Sequence, residues 1–543
     1  MHLPFLQAYF NAWLVNDAKR HIFVALWVIL QVTVFVVGHT NYEQSDNFTN
    51  MREAMGSGFA YFKATTLNLH LTTAVILLPL CRTIISYLRR TPLNRIIPFD
   101  DAILFHQLIG YTICFFAVLH MFIYAVVKAS PDSSGKRMST SEFINLWFGI
   151  GPQLVGNLMM TCLILIFLTS LPFVIRRYHE LFWYTHHISF IFFGLFSFHG
   201  SWCEMQPDRE PKCEHAGVFW KYWIFSGILY TIERILREVR ARRGTFITKV
   251  LLHPSDVVEI QFRRADISYK PGQYIILSCP EVSLLEWHPF TLTSAPQEDF
   301  LSIHMRQAGD FTQAFARRLG CGPNLETKKM ESVTEKTEQP LLPVIHIDGP
   351  FGSASQDVFK YEVITLFAAG IGVTPFASIL KSIWYRIHYP DGSGSMGRSM
   401  RLKKVHFYWI CRDYQTVEWF QDLLRALEEE DKDGLLEIQV YLTGELSTEQ
   451  IHNVALNDAS NKGLETNGDG PRDAMTGLQA PTYYGRPNMD VIFERLSDQY
   501  HSTDVGVFVC GPKSLEKSIH VAANTHSQAG EDGTRFIFNK ENF

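Results

Sequence analysis

The sequence predicts a six-span α-helical membrane domain followed by a soluble module built from a small antiparallel β-barrel and a parallel α/β sheet. Three observations predict it. Six apolar segments of roughly bilayer length crowd the first 240 residues. Short alternating runs punctuated by turn residues follow. Hydrophobic strands alternating with helical segments complete the chain. The expected boundaries are 1–243, 244–350 and 351–543, the last with a polar insertion near 444–481.

Composition narrows the field. Of 543 residues, 47% are hydrophobic and 19% charged, which excludes a disordered chain. A net charge of −5 argues against a nucleic-acid partner. Nine cysteines, spread thinly and without a CxxC pair, make neither a disulfide framework nor a zinc motif.

The apolar segments are 21–37, 67–85, 102–127, 154–175, 181–198 and 219–236. The first lacks a small-residue cleavage site and is read as a span, not a leader. Basic residues set the orientation. Lys19 and Arg20, Arg89, Arg90 and Arg95, Arg176 and Arg177, and the run from Arg234 to Arg243 mark alternate ends as cytosolic. The opposite loops hold Glu43, Asp46, Glu53, the sequon Asn47-Phe48-Thr49, and the pair Cys203 and Cys213. The Lys136-Arg137 pair runs against the bias but is outvoted. An integral membrane protein with both termini cytosolic is expected, in the plasma membrane or an internal one. Cys203 and Cys213, alone in an oxidising loop, are expected to be joined.

Imidazoles are costly in hydrocarbon, so intramembrane histidines point to function. His106 and His120 stand 14 residues apart, about 21 Å of rise on one helix face. His186 and His199 stand 13 apart, about 20 Å of rise. Two helices with two histidines at matching depths fit two bis-imidazole haems, one at each level. The competing reading is histidines that pack and hydrogen-bond between helices. Thirteen residues turn an ideal helix about 140° off its starting face, and His187 to His199 misses by about 120° the other way. Rotation therefore leaves His186 and His187 open, and a π-bulge or tilt is expected to correct the phase. His70 has no partner at such spacing and is read as a packing or hydrogen-bonded residue.

Beyond Arg243, runs at 246–251, 257–262, 274–277, 301–305 and 344–347, with the turn Lys270-Pro271-Gly272, suggest the barrel. Strands at 363–368, 404–410, 437–442 and 505–509 alternate with helices at 375–386 and 416–429. Polar stretches at 323–340 and 444–481 read as surface excursions. Neither carries an EF-hand loop, so calcium sensing is not supported.

Chemistry is expected at strand ends. In Ala369-Gly370-Ile371-Gly372-Val373-Thr374-Pro375 the glycines let backbone N–H groups approach a pyrophosphate at a helix N-terminus. Pro375 suits an early helical position. Cys411-Arg412-Asp413 ends the next strand; Arg412 leans toward NADPH, Asp413 toward NADH, and Arg486 offers a second cation. Cys510, in Val509-Cys510-Gly511-Pro512, either faces a nicotinamide or is a small buried residue.

His288-Pro289-Phe290-Thr291-Leu292-Thr293-Ser294, with Gly370–Phe376, Val509–Pro512, the terminal Asn539-Lys540-Glu541-Asn542-Phe543 and Phe182-Trp183-Tyr184-Thr185-His186-His187, resembles the NADPH oxidases. The likeness is to phagocyte-type flavocytochrome b and its fungal relatives, and covers nearly the whole chain. It implies a ferredoxin-reductase-like module, with FAD on the barrel and NADPH on the α/β domain. Phe290 would lie beside the isoalloxazine and Thr291 near its N5, with His288 and Pro289 in the same motif. His304 and Arg306 match the segment holding FAD phosphates, and Gly370, Gly372, Thr374, Pro375, Gly511 and Cys510 the NADPH side. Phe543 matches a terminal aromatic that covers the flavin. His106 with His186 would hold the inner haem iron and His120 with His199 the outer, resolving the tie in favour of His186.

Two departures concern the presumed oxygen site. Relatives commonly carry a His where Tyr124 stands, and often an Arg where gapless alignment puts Tyr61, with Lys63 nearby. The resemblance implies transfer of electrons from cytosolic NADPH through FAD and two haems to O₂, producing superoxide. It also implies a small membrane subunit together with a cytosolic activator and a Rac-like GTPase. A ferric or cupric reductase shares the architecture, and a non-catalytic scaffold or proton pathway is the reading from another class.

Overall fold

The computed structural model describes all residues except 1, 130–138, 142–143, 145–147, 150, 203–205, 211, 213–216, 266, 322–341, 389–400, 432, 445–471, 474, 529–531 and 542–543. Cys203, Cys213, Phe543, the Lys136-Arg137 pair, the 323–340 excursion and most of 444–481 therefore lie outside the described residues. The chain divides into two compact units, residues 20–235 and residues 1–19 with 236–543.

The first unit is helical. Ala18–Gln44, Phe99–Lys128, Pro152–Thr169 and His179–Trp202 are each long and apolar enough to cross a bilayer. Gly58–Leu80 and Arg82–Leu88 make a fifth candidate, bent by 80°. Pro79, inside the bend, has no N–H to continue the helical ladder. The sixth apolar segment does form a helix, Trp220–Ala241. It is amphipathic: Lys221, Glu233, Arg234 and Arg237 interrupt its apolar run. The unit turns apolar side chains outward, among them Ile29, Val36, Phe115, Phe122, Phe190 and Phe225. Some of its polar groups pair inside: Asn68 donates to both the backbone and side-chain oxygens of Gln31 at 2.8 Å, and Trp27 donates to Thr112 at 3.1 Å.

In the second unit, two three-stranded antiparallel sheets form the barrel. In chain order the strands are β1 (Phe246–His253), β2 (Val257–Arg263), β3 (Tyr274–Ser278), β4 (His288–Thr291), β5 (Leu301–Arg306) and β6 (His346–Phe351), ordered β1-β2-β5 and β4-β3-β6. Ile260, Phe262, Ile275, Leu277, Ile303 and Phe315 fill it. The turn at Lys270-Pro271-Gly272 is present, Gly272 taking φ +80°. β4 escaped the period reading, because its four residues are too short to show alternation.

The α/β layer holds β7 (Val363–Ala369), β8 (Lys404–Cys411), β9 (Leu436–Leu442), β10 (Thr482–Tyr484), β11 (Asp504–Cys510) and β12 (Arg535–Lys540). All six pair in parallel, in the order β10-β9-β8-β7-β11-β12. The order reverses at β7, the switch point where such sheets bind ligands. β10 and β12 are edge strands that the sequence pattern did not reveal. The N-terminal helix His2–Asn16 packs with this unit.

Candidate functional site

The helix Ala102–Ala129 carries His106 and His120. The fifth segment forms two helices, His179–His186 and Ser189–His199, broken at His187-Ile188. This two-residue turn stands between His186 and His199, where the sequence called for a π-bulge or tilt. The His106 and His186 ring centroids lie 6.2 Å apart. His187 is exposed and donates from Nδ1 to the Trp183 carbonyl at 2.7 Å.

Hydrogen bonds assign tautomers on the first helix. His106 Nδ1 lies 2.8 Å from the Ile76 carbonyl, which only accepts, so Nδ1 carries the proton and Nε2 the lone pair. Thr65 donates its hydroxyl proton to the Phe62 carbonyl at 2.7 Å. It can therefore only accept from His120 Nδ1 at 3.0 Å, which again frees Nε2. Metal-ligating imidazoles are oriented in this way. His120 and His199 both line a cavity of about 500 Å³ whose walls include Phe62, Ile113 and Phe196. His199 Nδ1 is buried without a hydrogen-bond partner. A Cβ on Gly156 would stand 3.2 Å from His199 Cε1, so glycine there keeps room for the ring.

These residues fit haem. Two imidazoles on one iron, with bonds of about 2 Å and roughly 1 Å from nitrogen to ring centre, have centroids about 6 Å apart. The His106–His186 pair has that spacing, and the His120–His199 cavity has the size of a cofactor site.

His70 lines the same cavity. Its ring stacks on Tyr222 at 3.6 Å and neither nitrogen has a hydrogen-bond partner, so of its two readings packing holds and hydrogen bonding does not. Tyr124 lines the cavity and accepts from Gln153 at 2.9 Å. The expectation for Tyr61 is corrected. Tyr61 is exposed and rests on His39, ring centroids 4.2 Å apart, while Lys63, half a turn on, lines the cavity. Gapless counting missed this because helix rotation decides which face points inward.

On the barrel, His288 stacks on Phe311 at 4.0 Å, Pro289 is exposed, Phe290 leans on the barrel core and Thr291 is buried. His304 and Arg306 share one face of β5; Arg306 is exposed, while His304 Nδ1 is bonded to Thr293 at 2.8 Å.

On the α/β sheet, the residues expected to meet the nucleotide gather at the C-terminal strand ends. Gly370 takes φ +53°, reached without strain by glycine. A Cβ on Gly372 would stand 2.4 Å from the Cys510 carbonyl oxygen, and one on Gly511 3.0 Å from the Ala369 Cβ. Glycine at both positions lets the β7 and β11 turns approach this closely. Thr374 and Pro375 open the buried helix Thr374–His388. Arg412 is exposed at the end of β8 and Arg486 just past β10. Asp413 Oδ1 accepts from Thr416 N at 2.9 Å, Thr416 Oγ1 at 2.7 Å and Ser255 Oγ at 2.9 Å, so that oxygen caps a helix. Burial, with Glu541 and Glu516 nearby, holds the Cys510 thiol well above its usual range, so it stays protonated and unreactive. Thr65, the Ile76 carbonyl and Ser255 were invisible to motif reading, because each acts through a partner distant in sequence.

Family models agree with this layout. Residues 70–197 match a ferric reductase like transmembrane component, 243–355 an FAD-binding domain and 361–524 a ferric reductase NAD binding domain. The chain is 37% identical to a superoxide-generating NADPH oxidase heavy chain of Dictyostelium discoideum, covering 100% of both proteins. It is 36% identical to NADPH oxidase 1 of Mus musculus over 99% of this chain and 96% of that one. It is 33% identical to NADPH oxidase 3 of Homo sapiens over 98% and 100%. An integral membrane reductase with FAD- and NAD-binding domains, related along its whole length to these enzymes, is an oxidoreductase, and the chain belongs to the NADPH oxidase family.

Proposed function

We propose that the protein carries electrons from NADPH, by way of FAD and two haems, across the membrane to O₂, which becomes superoxide on the far side. The observation that supports this best is the His106–His186 pair at iron-bridging distance, alongside a second pair that shares one cavity. His106 and His186 hold the inner haem; His120 and His199 hold the outer one. When bound, FAD and haem supply hydride acceptance and one-electron transfer; the chain's own residues bind, orient and insulate. Thr65 and the Ile76 carbonyl keep the His120 and His106 lone pairs directed. Lys63 and Tyr124 line the cavity that His120 and His199 share, and would face O₂ at the outer haem site. His288–Thr291 borders the flavin, with Phe543 as its cover, and His304 and Arg306 receive its phosphates. Gly370, Gly372, Thr374 and Pro375 present backbone N–H groups and a helix N-terminus to the pyrophosphate of NADPH. Arg412 and Arg486 read its 2′-phosphate, and Cys510 and Gly511 flank the nicotinamide.

Six spans with both termini cytosolic complete the reading. Trp220–Ala241 qualifies as the sixth because Trp220, Tyr222, Phe225, Ile228, Ile232 and Ile235 face outward. Its Glu233 is turned inward, where it accepts from Thr83 N at 2.9 Å and Oγ1 at 2.7 Å. A small membrane subunit together with a cytosolic activator and a Rac-like GTPase are proposed on family likeness. The test is NADPH-driven reduction of an external dye by protein with two haems and one FAD per chain. Superoxide dismutase should abolish it; dye reduction indifferent to dismutase would point to direct metal reduction instead.

A further inference from the structure

The turn that follows β7 has an anchor on the neighbouring strand. Trp409 on β8 donates its indole N–H to the Gly370 carbonyl at 3.1 Å. Trp409 pairs across the ladder with Ala368, two residues behind Gly370, so the indole lies on the sheet side of the turn. The ring is fully buried and held edge-on by two aromatics of the helix Gln415–Glu430, Trp419 at 5.9 Å and Phe420 at 5.8 Å. A buried indole N–H calls for an acceptor, and the Gly370 carbonyl supplies it.

Gly370 has need of such an anchor. It takes φ +53°, yet a Cβ placed there would meet nothing within 4 Å. Conformation, not packing, therefore demands glycine, and glycine by itself moves readily between left- and right-handed backbone. A bond to its carbonyl restrains that freedom. In a trans peptide the C=O and the following N–H point in opposite directions, and among the described residues only Gly349-Pro350 is cis. Drawing the Gly370 carbonyl back toward Trp409 thus turns the Ile371 N–H forward, past the strand ends.

We propose that Trp409 is a positioning residue for the dinucleotide: its indole N–H fixes the Gly370–Ile371 peptide plane, so that the turn presents its N–H groups to the pyrophosphate. Fully buried, Trp409 acts on the nucleotide only through the turn. This role rests on the turn's being the seat of the pyrophosphate, a group that NADPH and NADH share. It is therefore distinct from the role of Arg412 at the 2′-phosphate.

Two fragments of the nucleotide test it, as competitors of NADPH in anaerobic flavin reduction by the full chain loaded with FAD and haem. ADP-ribose carries the pyrophosphate; adenosine 2′-monophosphate carries the 2′-phosphate without it. Trp409→Phe keeps an aromatic ring and loses the donor. It should weaken ADP-ribose about three- to tenfold, the range of one neutral hydrogen bond, and leave adenosine 2′-monophosphate at the parent inhibition constant. NADPH and NADH should lose affinity by the same factor. A second variant carries β-(3-benzothienyl)alanine at position 409, which keeps the indole shape with sulfur in place of N–H, and should reproduce the loss without leaving a gap. Gly372→Ala is the reference for the turn itself and should also weaken ADP-ribose. Equal loss of both fragments would make Trp409 a support of the fold only and overturn the proposal. So would ADP-ribose binding at the parent level in the benzothienyl variant while Gly372→Ala is impaired. If Gly372→Ala also binds ADP-ribose like the parent, the pyrophosphate seat lies elsewhere, and the role of Trp409 falls with it.

Discussion

Asn16 Oδ1 accepts from the backbone N–H of Phe538 at 2.9 Å, while its Nδ2 donates to the Phe536 carbonyl at 3.0 Å. One carboxamide thus takes the place of a neighbouring strand along the open edge of β12. Asp17 adds contacts to Asn524 at 2.9 Å and His520 at 3.1 Å. An unpaired strand edge is otherwise a site for unwanted pairing. Asn16→Ala should destabilise the soluble unit by about 1–3 kcal/mol, since two backbone groups lose their partners. Asn16→Asp keeps the acceptor but sets a carboxylate oxygen against the Phe536 carbonyl and Asn524 Oδ1, so it should cost at least as much. Melting followed by flavin fluorescence measures both; a melting temperature equal to that of the parent would refute the edge-capping role.

His186 and His187 are adjacent yet face differently, as consecutive helical residues do: the His186 ring lies 6.2 Å from His106, whereas His187 is exposed and bonded to the Trp183 carbonyl. His186→Ala should lose one haem by pyridine haemochrome assay, while His187→Ala should keep both. Retention of two haems by the His186 variant would assign that iron elsewhere.

His199→Ala should lose the outer haem only. Under anaerobic stopped-flow, NADPH should still reduce the flavin and the remaining haem, but external superoxide should vanish, the remaining iron lying about 20 Å deeper. His106→Ala should instead leave an outer haem that no longer receives electrons. Superoxide release at the parent rate from the His199 variant would break the two-level order.

Arg412 has an exposed side chain, whereas an Asp413 oxygen is engaged in capping the helix Gln415–Glu430. Arg412→Ala should raise the KM for NADPH by the loss of a charge-assisted contact of about 1.5–3 kcal/mol, with NADH little changed. Asp413→Ala should cost about 1 kcal/mol of stability and leave the NADPH/NADH preference alone. A preference that moves with Asp413 rather than Arg412 would reverse the assignment.

Gly372 admits no side chain, its hypothetical Cβ lying 2.4 Å from the Cys510 carbonyl oxygen. Gly372→Ala should separate the two nucleotide turns and raise the KM for NADPH, while haem content stays at the parent level. The Cys510 thiol, raised by burial, should resist iodoacetamide at neutral pH in the native protein and react on unfolding. Rapid native alkylation, read by mass spectrometry, would contradict that environment.

By itself the sequence determined the membrane half, the barrel and the strand–turn–helix at Gly370, and it marked the intramembrane histidines by their spacing. Each of these is written in a local period, a length or a motif, and local signals survive without knowledge of what lies opposite. The apolar run read as a sixth span does form the helix Trp220–Ala241, but its charged residues set it apart from the described helices long and apolar enough to cross a bilayer. Rotation along one helix left His186 and His187 open and the family likeness favoured His186; the tertiary structure sets the His186 ring 6.2 Å from His106. Only the tertiary structure brought Lys63 rather than Tyr61 to the cavity, placed Asn16 against β12, and set the Trp409 indole against the Gly370 carbonyl. Those relationships depend on register and helix rotation between segments that are distant along the chain, which no single-segment pattern encodes.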